Sequence, residues 1–284
     1  MAEGTPSRPR WRRWLIAIAF AGLAAPALAE VPSPALIARL RAAESVRLEV
    51  AARFLYTPAD EARTRPIPGG ALPFAWTAGQ MLRAAGVRVV GPEATAEAVI
   101  VVEAEARAIG RRYFAKKDDL GHVYPGASLA GEIRAVVPGL VPWRVHFAAT
   151  LQPPVALAID RGYADPANAP FAEAYAAATS FVARLAGVIG RIWGAPALIR
   201  ALDLADPLIR RYAVKALGDL GDRQAIPALV ATLADGDPVL RREAAWALGK
   251  IGDPSAERAL TKALTDRDAD VRWFANWALA RLGR

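Results

Sequence analysis

The side chains that most often carry catalytic chemistry are scarce in this sequence. It has two histidines, His122 and His146, and no cysteine, which excludes thiolate catalysis and disulfide bonds. The His-Glu-x-x-His pattern of zinc hydrolases, the Gly-x-Ser-x-Gly nucleophile motif and a Gly-Lys-Ser/Thr phosphate loop are all absent. Residues 126–131 come near the nucleophile motif, but the segment is one residue too long and leads into a predicted strand. We therefore expect no catalytic residue, no metal ligand and no cofactor.

The densest polar cluster lies between two predicted strands. Residues 116–119 read Lys-Lys-Asp-Asp and are followed by His122, so a carboxylate pair and an imidazole could bind a cation there. The alternative is a charged hairpin loop that stays in water, which we favour. His146 falls on the polar face of a predicted strand, where a solvated surface histidine is the simpler interpretation.

Two carboxylates share one face of another predicted strand. Glu103 and Glu105 lie on either side of a single alanine, and paired carboxylates at this spacing could do acid–base work. The simpler account is that they form cross-strand pairs with Arg134 or Arg144.

The carboxyl-terminal third of the chain repeats itself. Three segments that begin at Ile209, Leu240 and Val271 align without gaps, and the period from each start to the next is the same. Recurrence at such a period is typical of stacked helical hairpins. Asp-Pro turns mark the start of the second helix in two units, and Gly252 is suited to end one. The aspartates and arginines that recur in register are Asp206, Asp237, Asp268, Arg210, Arg241 and Arg272.

These repeated segments resemble HEAT repeats of the short subtype found in bilin lyases, over about residues 195–284. The resemblance implies an α-solenoid in which the recurring Asp and Arg residues join adjacent repeats. Deoxyhypusine hydroxylase, which also has repeats of this kind, binds two iron ions through His-Glu pairs. The repeats of this chain contain no histidine, so that enzymatic interpretation fails for lack of ligands.

In such solenoids the second helices line the concave surface, which commonly binds partners. We expect the positions at 211, 214, 215 and 218 of the first repeat, and their equivalents in the next two, to lie outside the core. Stacking then brings together basic and aromatic residues of the types enriched at binding hot spots. The alternative is that Trp246 and Trp277 only pack against the adjacent repeat. The predicted partner-binding residues are Arg211, Lys215, Arg242, Trp246, Trp273 and Trp277.

The middle of the chain, residues 30–192, has the periodicity of strands. Apolar residues alternate with polar ones around 46–56, 98–107, 129–137 and 145–149, and residues 74–85 read as a helix. A helix is the alternative interpretation of 46–56. Long strands that are apolar on one face predict an antiparallel sheet with covering helices. A helix over about 170–192 is suited to cover the sheet or to bridge into the repeats. The fold class is therefore an α+β domain followed by three helical repeats over residues 193–284.

The order strand, helix and three strands is similar to small α+β modules of bacterial envelope proteins. The amino-terminal domain of the translocation protein TolB is one example. The resemblance depends on a helix, a glycine, the run Val87-Arg88-Val89-Val90, a loop and then Ala98-Val99-Ile100-Val101.

The first 29 residues have the layout of a signal peptide. Arginines at 8, 10, 12 and 13 precede an uncharged apolar run over 14–25, and Ala27-Leu28-Ala29 suits cleavage after Ala29. The run is shorter than the roughly 20 residues of a membrane span. Export could follow the general or the twin-arginine route, and no cysteine is present for lipid attachment. Cleavage would lower the net charge of +8 by three.

Together these features predict an exported, periplasmic or secreted protein that is not an enzyme. We expect it to bind a protein partner in the cell envelope, and not nucleic acid, with no transmembrane span once the signal is removed. One alternative is a lyase or other enzyme with a pocket between the two domains. Another is a structural envelope protein that binds polymers or lipid head groups.

Overall fold

The structure, a computed structural model, describes residues 31–56, 65–66, 74–116, 119–151 and 169–283. The predicted signal peptide and its cleavage site after Ala29 lie outside these ranges. So do the two central residues of the Lys-Lys-Asp-Asp loop, at 117–118. These predictions therefore stay predictions.

The amino-terminal half forms one mixed sheet with the strand order β2-β1-β4-β5-β6, and β3 pairs with the start of β1. Strands β4, β5 and β6 are antiparallel neighbours, as the sequence predicts. The strands are β1 (Ser45–Tyr56), β2 (Arg65–Pro66), β3 (Arg88–Val90), β4 (Ala98–Lys116), β5 (Asp119–Val136) and β6 (Trp143–Leu151).

The prediction of a purely antiparallel sheet is wrong for β1. This strand runs parallel to both β3 and β4, with Val46 opposite Val89 and Ala98. Parallel neighbours need a crossover connection, and here the chain between β1 and β4 contains the helix Phe74–Ala84. The alternation of apolar residues along β1 is the same for either strand direction, so the sequence pattern could not distinguish them.

Three helices pack around the sheet and its edge: α1 (Pro34–Ala42), α2 (Phe74–Ala84) and α3 (Ala169–Trp193). The helix predicted at 170–192 is α3, and it contacts β5 and β6. At its centre the Phe181 ring lies 4.3 Å from Phe74 of α2 and 5.5 Å from Phe147 of β6, measured between ring centroids. Phe181 is fully buried, so one side chain joins the long helix to both the sheet and its neighbouring helix.

The repeats form three pairs of helices. In each pair the second helix starts at a capping aspartate, and α5 and α7 end at Gly221 and Gly252, which both have φ of +71°. Short 3₁₀ turns, Arg223–Ala225 and Pro254–Ala256, precede the first helices of the second and third pairs. The helices are α4 (Ala195–Ala201), α5 (Pro207–Leu220), α6 (Ile226–Thr232), α7 (Pro238–Ile251), α8 (Glu257–Ala263) and α9 (Ala269–Leu282). Below, α5, α7 and α9 are called the second helices.

The buried core runs without a break from the sheet into the helical repeats. The predicted boundary between residues 192 and 193 falls at the last turn of α3. On either side of it, Arg41 of α1 donates to the carbonyl of Ile192, and Arg200 of α4 donates to the carbonyl of Ala84. Within the described residues, no helix has both the length and the apolar character needed to cross a bilayer.

Candidate partner-binding surface

The three second helices lie side by side at very short distances. A Cβ added to Gly218 of α5 would be 2.8 Å from the Cα of Ala247 in α7. A Cβ added to Gly249 of α7 would be 2.8 Å from the Cα of Ala278 in α9. Side chains larger than hydrogen therefore cannot stand at these two positions unless the helices move apart.

Four positions that we expected to lie outside the core are in fact buried. Val214 and Ala245 are fully buried, and Gly218 and Gly249 are buried as well. The reason is the close approach of the next second helix, which covers this edge of each helix. In the first two repeats, only the neighbouring side chains at 211, 215, 242 and 246 remain partly exposed to solvent.

Trp246 and Trp277 are half-buried and have the same packing role. Each indole lies over the glycine of the preceding second helix, with Cζ3 2.9 Å from a Cβ added to Gly218 and 2.6 Å from one added to Gly249. A cation covers each ring: the Lys215 ammonium is 4.1 Å from the Trp246 centroid. At Trp277 the cation is the guanidinium of Arg281, 5.1 Å from the centroid. These two indoles contribute to packing between repeats as well as to the surface.

Trp273 is the solvent-exposed indole of the predicted patch, with 60% of its surface accessible. Its ring meets the edge of Phe274, with centroids 4.7 Å apart. The equivalent positions in the first two repeats are Arg211 and Arg242, so the row runs from cations to an aromatic ring.

Glu243 lies between the two arginines of this row. Its carboxylate is 3.4 Å from Arg211 and 3.2 Å from Arg242, and Arg242 also lies 3.8 Å from Asp270. Sequence reasoning missed Glu243, because it precedes a buried alanine and has no counterpart in the other two repeats. The predicted basic patch is therefore partly neutralised by acidic side chains.

The side chains of the recurring aspartates cap the second helices. The Asp206 carboxylate accepts from the amide of Leu208 at 2.7 Å, and Asp237 accepts from Val239 at 2.8 Å. Asp268 accepts from the amide of Asp270 at 3.0 Å. The capping predicted for Asp206 and Asp237 is therefore confirmed, and Asp268 caps its helix in the same way. The inter-repeat role of the three aspartates stays a prediction.

Two of the three recurring arginines, Arg210 and Arg241, join repeats through aspartates that the sequence analysis did not single out. Arg210 binds Asp235 at 2.9 Å, and Arg241 binds both oxygens of Asp266 at 2.8 Å. Asp235 and Asp266 are themselves one repeat period apart, but the first repeat has Leu204 at that position. A comparison that accepted residues shared by only two of the three repeats would have found Asp235 and Asp266.

The pair of Arg241 and Asp266 is nearly enclosed, since Arg241 is 4% exposed. The hydrogen bond from Arg241 lowers the pKa of Asp266 below its ordinary value, against the opposing effect of burial. The same hydrogen bond raises the pKa of Arg241. Arg241 also donates to the carbonyls of Asp235 and Gly236 at 3.0 and 3.2 Å.

The carboxylates on the open face of the sheet have arginine partners. Glu103 pairs with Arg134, as predicted, and buried Glu105 pairs with Arg107 at 2.7 Å. Arg144 lies opposite Arg134 in the strand register and not opposite a glutamate. His146 is exposed and lies 3.4 Å from Glu132. No group of three or more metal-ligating side chains occurs among the residues that the structure describes.

Comparison with known families matches residues 195–283 to HEAT repeats. Among solved structures, human deoxyhypusine hydroxylase in complex with glycerol is 31% identical over 36% of this chain and 36% of its own length, with a TM-score of 0.33. Epoxyqueuosine reductase with a modified tRNA-Tyr stem loop is 37% identical over 27% of this chain and 21% of its own, with a TM-score of 0.26. An engineered protein is 27% identical over 37% of this chain and 54% of its own, with a TM-score of 0.30.

This chain covers less than two thirds of the length of each of these solved proteins. No curated protein matches the chain. The family match covers all three helix pairs and their capping aspartates. It also covers the two Arg–Asp ion pairs that join repeats. Residues 195–283 of this chain therefore match the HEAT-repeat family, and they form three helix pairs in the structure.

Proposed function

We propose that this chain binds a protein partner through the surface of its second helices. The contacts of α5 with α7 and of α7 with α9 repeat the same glycine, alanine and indole, which supports a short solenoid of three repeats. In that arrangement the row of Arg211, Arg242 and Trp273 lies along one face, of the kind that such solenoids use for binding.

The observation that carries the proposal is the exposed indole of Trp273. An aromatic side chain that leaves 60% of its surface in water gains free energy when a partner covers it. Beside it, Arg242 is partly exposed and held by Glu243 and Asp270 through contacts longer than those of an ideal ion pair, at 3.2 and 3.8 Å. Exposed tryptophan next to arginine is a combination enriched at protein-binding hot spots.

The charge of the second helices also supports a protein partner. Together, Pro207–Leu220, Pro238–Ile251 and Ala269–Leu282 carry eight Arg or Lys and three Asp or Glu. Asp235 and Asp266, outside these helices, pair with Arg210 and Arg241, and the positive charge that remains attracts acidic segments and speeds their association.

The test is capture of partners from envelope extract by the wild-type chain and by the double variant Trp273→Ala, Arg242→Ala, with identification by mass spectrometry. We expect the variant to lose its principal partner by about tenfold or more. Trp246 is left unchanged because it covers Gly218, and its loss would disturb packing between repeats.

A matched control is available on α2. Trp76 is 52% exposed and Arg83 is exposed on the same helix, so Trp76→Ala with Arg83→Ala removes the same side-chain types elsewhere. This control should retain the partner. Equal recovery from the wild type and from both variants would refute the second-helix surface as the binding site.

We also propose export to the periplasm or beyond, on the basis of the first 29 residues. The short bilin-lyase-like subtype of the repeats and the TolB-like character of the sheet domain remain proposals at the same level. Amino-terminal sequencing of protein from a periplasmic fraction should begin at Glu30. A chain that keeps Met1 and stays in the cytoplasm would contradict export and the envelope location of the partner.

The enzymatic alternative, with a pocket between the two domains, has no supporting observation. Within the described residues, apolar side chains fill the junction between sheet and repeats, including the fully buried Phe74, Ile189, Ile192 and Leu198. A catalytic pocket requires convergent polar groups. We therefore retain the binding function as the single proposal.

A further inference from the structure

Arg241 shows how this protein recognises a carboxylate between repeats. Its Nη1 donates to the carbonyls of Asp235 and Gly236, at 3.0 and 3.2 Å, in the turn that precedes its own helix. This contact fixes the guanidinium plane, so that Nε and Nη2 both face Asp266 of the next repeat, each at 2.8 Å. Two parallel hydrogen bonds of this kind match the spacing of the two oxygens of a carboxylate.

Arg272, one period later, is held in the same frame. Its Nη1 donates to the carbonyls of Asp266 and Arg267 at 2.8 and 3.2 Å. These carbonyls are the equivalents, in the next repeat, of those that hold Arg241. The guanidinium is therefore already oriented by its own turn, which lowers the cost in side-chain entropy when a ligand binds.

What differs is the other edge of the guanidinium. Arg272 is exposed, and no described residue supplies a carboxylate to its Nε and Nη2. At the two earlier positions, Arg210 and Arg241, an aspartate of the following repeat binds the guanidinium. Arg210 binds its aspartate through Nη1 alone, so the donor geometry of Arg241 is repeated only at Arg272, whose acceptor is absent from the described part of the chain.

The exposed face of α9 is not suited to a further repeat at the same spacing. Ala280 stands where Gly218 and Gly249 allow the next helix to approach, and its Cβ would meet the backbone of such a helix. Asn276 stands where Val214 and Ala245 are fully buried. A ligand that reaches Arg272 must therefore bring a turn to the guanidinium without stacking a helix along the length of α9.

From these contacts we propose that Arg272 is a preformed binding site for an aspartate of a partner protein. In the contact between Arg241 and Asp266, the Asp266 carboxylate also accepts a hydrogen bond from the amide of Asp268 at 2.8 Å, in the turn before a helix. The fitting ligand is thus an acidic Asp-x-Asp turn at the start of a helix. Trp273 follows Arg272 in α9 and is exposed, so it offers an apolar surface on the adjoining side of the same helix. This inference rests on the proposed function, since its ligand belongs to the protein partner.

The experiment uses a synthetic peptide that copies residues 260–275, the turn and helix start that carry Asp266. Its binding to the full chain is followed by the side-chain Nε–Hε signals of the arginines in ¹⁵N NMR spectra. We expect the Arg272 signal to shift on titration. The same peptide with Asp266→Asn should bind at least about tenfold more weakly, because it lacks the second charged oxygen.

Three variants of the chain test the geometry. Arg272→Gln should weaken peptide binding by about tenfold or more, and Arg272→Lys should restore only part of it, since an ammonium cannot form two parallel bonds. Arg258→Gln removes an exposed arginine of α8 and should leave binding unchanged. Thermal unfolding of each variant checks that the repeats stay folded, and the wild-type NMR shift gives the answer even if Arg272→Gln unfolds.

Three outcomes would overturn the inference. They are equal binding of the Asp and Asn peptides, an equal loss in Arg272→Gln and Arg258→Gln, and no shift of Arg272 at about 1 mM peptide. If the captured partner still depends on Trp273 and Arg242, such a result refutes the carboxylate site alone. If the peptide binds at Arg272 but the variant Trp273→Ala, Arg242→Ala captures the partner as well as the wild type does, only the proposed surface is refuted.

Discussion

At the scale of single residues, the most consequential interaction is the bidentate pair of Arg241 and Asp266. Arg241 is 4% exposed, so its charge is stabilised by Asp266 and two carbonyls rather than by water. Burying two charges costs free energy that good geometry only balances, and the pair therefore adds little net stability. Removing one partner is different, because an uncompensated charge then remains inside the repeats.

We predict that Asp266→Asn destabilises the protein by about 3–5 kcal/mol. The matched variant Asp235→Asn should cost only about 1 kcal/mol, because Arg210 and Asp235 keep 27% and 23% of their side chains exposed. Urea unfolding followed by circular dichroism measures both values. Equal losses in the two variants would show that burial does not set the strength of these pairs.

The same ion pair predicts that the stability of the folded protein depends on pH. Because the pKa of Asp266 is lowered in the folded state, its contribution is fully present above the unfolded value of about 3.9. It is lost as the pH falls through the lower folded value. The stability difference between wild type and Asp266→Asn should therefore be constant from about pH 7 to 5 and shrink below about pH 4.

Asp253 serves as an internal control for that measurement. Hydrogen bonds from Ser255 lower its pKa as well, and it titrates in both proteins. Its effect cancels in the difference, which isolates Asp266. A difference that stays constant down to about pH 2 would contradict the assignment.

At the scale of elements, the second helices depend on glycines inside helices. Glycine in a helix interior costs up to about 1 kcal/mol relative to alanine. At Gly218 and Gly249 this cost is offset by the contact of the next helix and its indole. The position is therefore set by packing between helices and not by helix propensity.

We predict that Gly249→Ala is destabilising by about 1–3 kcal/mol, although alanine is the better helix former. Its Cβ would lie 2.6 Å from Trp277 and 2.8 Å from the backbone of Ala278. Gly187→Ala in α3 is the matched control, because a Cβ there meets no atom within 4 Å. It should stabilise the protein by up to about 1 kcal/mol, and chemical unfolding of the two variants should show opposite signs.

At the scale of the whole molecule, the sheet and the helical repeats share one buried core. The long helix α3 makes this connection, since it contacts β5 and β6 as well as α4 and α5. Phe181 of α3 packs against Phe147 of the sheet. One end of the same helix lies close to the repeats, where Gly190 is next to Leu198 of α4. We therefore expect the two parts to unfold together.

We predict that Phe181→Ala destabilises the sheet and the repeats alike, by about 3–5 kcal/mol. The side chain is fully buried between Phe74 and Phe147, and it lies in the helix that leads directly into the repeats. Amide hydrogen exchange should show the loss of protection in β5 and in α5 to the same extent. A loss confined to the strands would mean that the repeats fold independently of the sheet.

The sequence by itself determined the repeat period, the capping aspartates, the position of α3 and the strands with one apolar face. Each of these is a local property: hydrophobic spacing reports helix or strand, and Asp before a helix caps its own amides. The pairing of Glu103 with Arg134 was also predictable, because neighbouring antiparallel strands bring such residues together.

Only the tertiary structure decided which sides of the second helices face water. Spacing along a helix is the same whether Val214 meets solvent or the next helix, and the close approach at Gly218 buried it. The parallel direction of β1, the position of Glu243 between two arginines and the role of Asp266 depend on contacts between distant residues. Such contacts arise from how elements pack, and no local pattern carries them.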